Sequence, residues 1–522
     1  MAAQLMTPQI GELEHGRDTE RQTEAGGYLP FLTGLLVPEG EVYDKNEGAN
    51  SRWYRWLLEA GVEGNGIKPV PRDLRTECGT NKLFTVFFTC LLCILPLATG
   101  ALGTTIFQLG LRDASLVIVF FSLVTCIPPA FMGVGGYQTG MRQMIQARYS
   151  FGLYWVTIPI LLNAATVTGF SLVGSIVSGQ TIAALDKTAG ISVNIGIAIT
   201  CSVAFVTALF GYKVIHIWQR WQWVPNATAL IIAVGCSGKD LVHQADVPPP
   251  TAKQIISYGS LMAGYFLTFG GTVSDFTIYH RPETPMFKAF AYIFFGLWSP
   301  SILLLTLGAA IGGALPNVPS WQSAYARLGT GGVLAEMLEP AGGFGKFVLV
   351  VLALSVVGNM SISMYAVALN LQMLLPIFTK IPRLAFIFVT MAIMIPMAIY
   401  AAAEWDTSLG NFLSIIGYWA GCFDAILVEE MVIFRRMDYS LLPQEAWNVR
   451  RKLPTGLAAV AAVVISLALV IPGMDAAWYA GPIGEKIGDI GFEAAFVVTA
   501  IAYFPARRLE IEWMGSPAEA AV

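Results

Sequence analysis

Charge is scarce in this sequence: Asp, Glu, Lys and Arg make up 13% of its 522 residues, against roughly 25% in soluble domains. With 55% of the residues hydrophobic, such a chain is solvated by lipid or by itself, and a water-soluble fold is a poor second choice. The net charge is only −4, and no basic stripe tracks a phosphate backbone, which argues against nucleic acid as a partner. Histidine is rarer still. All four, His15, His216, His243 and His280, fall outside the long apolar runs, so no span holds a buried histidine to ligate a metal or act as a general base. That weighs against a membrane-embedded enzyme. The seven cysteines, Cys78, Cys90, Cys93, Cys126, Cys201, Cys236 and Cys422, sit in or beside apolar runs, where a free thiol behaves as a small hydrophobe. Cys90-x-x-Cys93 lacks a second Cys or His pair to complete a zinc site, so neither a metal nor another cofactor is expected. No apolar run precedes residue 83, so no cleavable secretory signal is expected and the first span directs insertion.

What the chain has instead is a succession of uncharged stretches: Leu83–Leu111, Ala114–Met141, Tyr149–Leu185, Thr188–Tyr212, Trp221–Gly238, Gln254–Ser274, Ala289–Ala326, Phe347–Thr379, Leu384–Ala403, Thr407–Phe423 and Thr455–Met474. A hydrocarbon core needs about 20 apolar residues per helix, so each predicts a span. A twelfth, Ile490–Pro505, is interrupted by Glu493. The fold class expected is an all-α polytopic membrane protein of about twelve transmembrane helices over 83–506, between an N-terminal tail, 1–82, and a C-terminal tail, 507–522. Trp223, Trp298, Trp405 and Trp478 lie near span ends, as interfacial aromatics do.

Connections rich in Lys and Arg alternate with connections that carry mainly Asp and Glu. Arg72, Arg75 and Lys82 precede span one; Arg142 and Arg148 join two to three; Arg281 and Lys288 join six to seven; Arg435, Arg436, Arg450, Arg451 and Lys452 join ten to eleven; Arg507 and Arg508 follow twelve. The positive-inside bias places this set, and both termini, in the cytosol. Within the N-terminal tail, Ser51–Gly61, with Trp53, Trp56, Leu57 and Leu58, reads as an amphipathic piece that lies on the inner leaflet or docks under the bundle.

Two patterns look chemical and are discounted. Gly329-Thr-Gly331-Gly332 resembles a fragment of a phosphate loop, but it falls in a predicted external loop with no strand before it. The glycosylation triplets at Asn226 and Asn359 fall at a cytosolic helix end and inside a span. More telling are the interruptions. Span one carries Pro96, Gly100 and Gly103, and span six carries Gly264, Gly270 and Gly271. Breaks five spans apart fit an inverted repeat, and they bring unpaired backbone groups to the midplane, where a small polar solute is held.

Several segments are familiar. Gly136-Tyr-Gln-Thr-Gly-Met-Arg-Gln-Met-Ile-Gln-Ala-Arg-Tyr-Ser-Phe-Gly152, Phe107-Gln-Leu-Gly-Leu-Arg-Asp-Ala114, Ser274-Asp-Phe276, and Gly417-Tyr-Trp419 followed by Glu430 and Phe434-Arg-Arg436 together resemble the fungal purine–cytosine permease group of the nucleobase–cation symporter family. The resemblance covers roughly residues 70–510. It implies a leucine-transporter-like fold of five plus five inverted helices and two more, importing a nucleobase (cytosine and/or purines such as adenine, guanine and hypoxanthine) with a proton as the coupling ion across the plasma membrane. There are departures. Where the group usually reads Asn-Asn-x-Pro-Asn before a Tyr in span eight, this chain has Asn359-Met360-Ser361-Ile362-Ser363 before Tyr365; Phe269 replaces a Trp common in span six; Met431 replaces a His. These leave open another flat heterocycle, such as pyridoxine (vitamin B6), as substrate, and a non-transporting receptor as a remote alternative.

A planar heterocycle needs an aromatic face to stack on and amides to donate and accept along its edge. Phe269, directly before Gly270-Gly271, and Thr268 are expected to face the cavity from span six. In span eight, Asn359 and Ser363 share a face one turn apart, and Asn359 matches the amide the resemblance retains. Span three offers Asn163 and Ser171 on one stripe with Phe170 and Gly174, and span one offers Thr89. For coupling or gating, Asp424 within span ten must be neutralised or partnered; the partnered, structural role is favoured, since the resemblance puts the cation site between spans one and eight. Arg142 or Arg148 is expected to pair with a cytosolic acid, Asp275 or Glu430, when the inner gate is closed.

Overall fold

The computed structural model describes residues 66–185, 190–375, 377–378, 381–476 and 478–514, and the structure is helical at every predicted span. The predicted amphipathic piece Ser51–Gly61 lies outside the described residues. Spans two, three, four, seven, eight, nine and ten contain helices long and apolar enough to cross a membrane. The first span is a bent pair, Asn81–Leu91 and Leu95–Thr105, with 55° between its halves. Spans five (Trp223–Ser237), six (Ala252–Leu267), eleven (Leu457–Gly473) and twelve (Gly491–Met514) are shorter or carry charge. Large apolar side chains such as Phe120, Ile231, Leu303 and Ile501 point outward. In water that surface would be an aggregation liability; against lipid it is the solvated face.

The first break follows from Pro96. Proline has no N–H and its ring clashes with the carbonyl four residues back, which frees the Leu92 carbonyl; the helix stops at Leu91 and restarts at Leu95. The glycines of span one act differently from expectation. A Cβ on Gly100 would lie 2.0 Å from the Leu305 carbonyl oxygen of span seven, and one on Gly103 would meet Tyr258, so both permit close packing rather than a break. In span six, Gly264 likewise packs on Leu413 of span ten. Gly270 and Gly271 do mark a break: the α-helix ends at Leu267 and the chain continues as two 3-10 turns, Thr268–Gly271 and Val273–Phe276.

The expected alternation of connections is visible as contact. At one end, here called the basic end, Val70 N–H donates to Gly140 O, Arg75 donates to Tyr137 O and Gln138 O, and Gln444 donates to Val70 O. Glu77 forms a parallel bridge with His280. Residues 66–80 therefore form a strap that joins the connections two–three, six–seven and ten–eleven. Gly140 has φ +69°, the left-handed conformation that ends span two where the strap crosses it. At the other end, Lys253 pairs with Asp475, and Asp489 N–H donates to Ser257.

Two boundaries differ from expectation. The Gly329 motif is not in a loop: it sits in the helix Pro319–Leu338, kinked at Leu328 and Gly329 and packed on Gln180 and Thr181 of span three. Span twelve runs on to Met514, burying Arg507 and Glu510.

Candidate substrate cavity

Where spans one and six break, their freed carbonyls are met by side-chain amides. Asn226 of span five donates to Leu92 O at 2.9 Å, and the hydroxyl of Ser355 accepts from Ile94 N–H at 3.1 Å. Asn359 of span eight reaches Cys90 O at 3.4 Å and Cys90 Sγ at 3.2 Å. Asn163 of span three donates to Gly271 O at 3.0 Å. Each is the intramolecular partner that non-helical backbone at membrane depth requires.

Between the two breaks lies a narrow cavity of about 30 Å³, room for water rather than for a whole heterocycle in this closed packing. Its walls are Cys90, Leu91 and Leu95 of span one, Val167 and Phe170 of span three, Tyr265, Thr268, Phe269 and Thr272 of span six, and Asn359, Ile362, Ser363 and Ala366 of span eight. The expected residues Phe269, Thr268, Asn359 and Ser363 are thus brought together. The Asn359 amide is half used: Nδ2 is engaged, while the buried Oδ1 has no partner among the described residues. Phe170 is held edge-on to Tyr265 (6.0 Å between ring centres) and to Phe412 (5.2 Å).

Three expected lining residues are elsewhere. Thr89 donates to Gln219 O at 2.6 Å, and Ser171 donates back to Val167 O of its own helix, as hydroxyls in apolar helices do. Asn163 holds the span-six turn rather than facing the cavity. Of the remaining walls, Phe170 lies on the stripe expected of span three, whereas Cys90, Tyr265 and Thr272 carry no signal in the sequence that singles them out.

The charged candidates also divide. Arg142 is fully buried at the start of the helix Gln143–Trp155; it donates to Gly66 O of the strap at 2.9 Å, to Tyr365 OH of span eight at 2.9 Å and, at 3.5 Å, to the backbone carbonyl of Asp275. The Asp275 carboxylate accepts from Gln143 N–H at 2.9 Å. Among the described residues Arg148 pairs with no acid: it donates to Trp447 O and Asn448 Oδ1, over the Trp447 ring. Glu430 binds neither expected arginine. It is paired with Arg435 and Arg507, each at 2.9 Å, and accepts from Tyr503 at 2.8 Å. Asp424 lacks the partner that the favoured structural role required: neither carboxyl oxygen has a hydrogen-bond partner among the described residues.

Residues 69–493 match the family described as permease for cytosine/purines, uracil, thiamine, allantoin. The chain belongs to this permease family. It is 31% identical over 512 residues to the purine-cytosine permease FCY2 of Saccharomyces cerevisiae, covering 96% of each chain. It is 28% identical over 525 residues to the vitamin B6 transporter TPN1 of the same yeast, covering 89% of this chain and 90% of that one. Among solved structures it resembles Mhp1, a nucleobase-cation-symport-1 family transporter, in a closed conformation with bromovinylhydantoin bound: TM-score 0.68 at 15% identity, over 87% of this chain and 98% of that one. The fold of this permease is therefore that of a membrane transporter, with the paired breaks of spans one and six at its centre.

Proposed function

We propose that this permease is a secondary transporter that imports a nucleobase, cytosine and/or purines, by symport with a proton across the plasma membrane, with its basic end and both termini in the cytosol. The observation that carries the reading is the cavity itself. Phe269 and Phe170 supply apolar ring surface, and the unengaged Oδ1 of Asn359 supplies an acceptor for a ring N–H. The kinship with FCY2 supports the same substrate class.

A proton, rather than a metal cation, fits the break of span one. Unwound carbonyls are what coordinate sodium in transporters of broken-helix design, and here Leu92 O and Cys90 O already hold amide donors. Pyridoxine is the second reading, favoured by the departure at Met360–Ser363 and by the kinship with TPN1. Radiolabelled uptake in cells lacking their own permeases tests all of this: cytosine or adenine uptake, blocked by unlabelled purine and unchanged in sodium-free medium, is expected. Saturable uptake of pyridoxine alone would replace the substrate, and sodium dependence would replace the coupling ion.

A further inference from the structure

Span ten buries a carboxyl group to which the substrate cavity gives no task. Asp424 has no exposed surface, and neither oxygen finds a hydrogen-bond partner among the described residues. The charges on the elements packed against span ten are engaged elsewhere. Lys253 pairs with Asp475, Arg148 bonds Trp447 and Asn448, and Arg507 lies between Glu430 and Glu510. Arg435 pairs with Glu430, the buried Asp489 accepts from Tyr418, Glu429 and Glu493 add acid rather than a cation, and Arg508 and Glu512 are exposed. An anion in this setting would have neither a counter-ion nor a donor, so the group fits as the neutral acid.

What the acid rests on is the break of span six. A Cβ built on Gly270 would lie 2.1 Å from Asp424 Oδ1, so the carboxyl group lies flush on the backbone of the 3-10 turn. The residue before, Phe269, lines the cavity; the carbonyl of the residue after, Gly271, is held by Asn163. One turn therefore forms a wall of the substrate cavity and the cover over Asp424.

We propose that Asp424 carries the coupling proton. The inference rests on the reading of the chain as a proton symporter. The carboxylate takes up one proton, as −COO⁻ plus H⁺ gives −COOH, when the span-six turn has moved aside and water reaches it from the acidic side. It returns that proton to water when the turn moves again on the opposite side. No other bond changes. Because Phe269 and Gly270 are adjacent, closing the turn over substrate also closes it over the acid, and closure requires the acid to be neutral. Substrate and proton therefore cross together.

Asp424→Asn keeps a neutral side chain of nearly the same shape. In permease-deficient cells and in proteoliposomes, this variant is expected to exchange internal for external labelled nucleobase. It should lose accumulation against a gradient, and adding substrate should no longer alkalinise a weakly buffered medium. Proton-driven accumulation that persists in Asp424→Asn overturns the assignment alone; wild-type uptake that ignores the proton gradient overturns the symport reading and the assignment with it. A measurement on the wild-type protein covers a variant that folds poorly. Dicyclohexylcarbodiimide attacks protonated carboxyl groups in apolar surroundings, so Asp424 should be modified more at pH about 5 than at pH about 8, read by peptide mass spectrometry. An unmodified Asp424 at the acid pH overturns the proposal.

Discussion

Asn359 divides its amide between protein and cavity: the Nδ2 end holds the broken backbone of span one at Cys90, and the Oδ1 end finds no donor among the described residues. Replacing it by alanine removes both, and a lost buried hydrogen bond is worth ~1–3 kcal/mol, tenfold or more in apparent affinity. Asn359→Ala and Phe269→Ala are each expected to weaken uptake on that scale, with surface expression retained; wild-type apparent affinity in both, by concentration-dependent uptake, would refute this cavity. Asn163→Ala is expected to act differently. Asn163 touches the turn and not the cavity, so the maximal rate should fall while apparent affinity stays within about twofold, since only a tie between helices is lost. Spacing along span eight found Asn359 and Ser363 because both point the same way from one helix. It misplaced Asn163, Ser171 and Thr89 because spacing says which residues share a face and not which neighbour that face meets. Ser171 had a further reason to be absent, since its hydroxyl is already satisfied within its own turn.

At the scale of elements, the breaks were legible from proline and glycine, with a displacement that backbone chemistry explains. Pro96 acts on the carbonyl four residues before it, so the bend falls at Leu92, and the glycines after it serve packing instead. The strap was not legible, because residues 66–80 are polar and its hold on the bundle is largely through backbone groups. Arg142 joins that strap to span eight and the span-six turn, and under the proposed import these three pieces would part for release at the basic end. Arg142→Gln is expected to weaken closure and lower the accumulation ratio in flux assays. Arg148→Gln, which loses only Trp447 and Asn448, should leave the transport rate intact. The strap is also pH-sensitive. Burial pushes the fully buried His280 below its usual range, partly offset by Glu77; burial pulls Glu77 up, but His216, His280 and Lys82 outweigh it and hold its carboxylate low. A histidine with a depressed folded pKa stabilises the contact above about 6.5 and loses that contribution as the pH falls below it; the Glu77 contribution fails only below about 4.5. Limited proteolysis of the strap should therefore accelerate as pH drops from about 7 to about 5, and His280→Gln should flatten that dependence.

For the whole molecule, each uncharged run contains a helix among the described residues, including runs whose helices are too short or too charged to be recognised as spans by length. The knot that joins spans ten and twelve was not legible. Arg435 and Arg507 read as topology signals, yet both are buried against Glu430. Removing the acid from a buried pair leaves charges uncompensated, at a cost of ~3–5 kcal/mol. Glu430→Gln is thus expected to lower the melting temperature in detergent by several degrees, measured by fluorescence-detected size exclusion; unchanged melting would mean that the pairing contributes nothing. Finally, Cys78 of the strap is exposed, whereas Cys90, Cys93, Cys126, Cys201 and Cys422 are buried and Cys236 is half-buried. A brief reaction with a maleimide dye should label mainly Cys78, beside Glu77 and its bridge to His280. The native permease thus carries its own attachment site for an optical reporter, and the dye's emission would time each departure of the strap from the six–seven connection without an engineered cysteine.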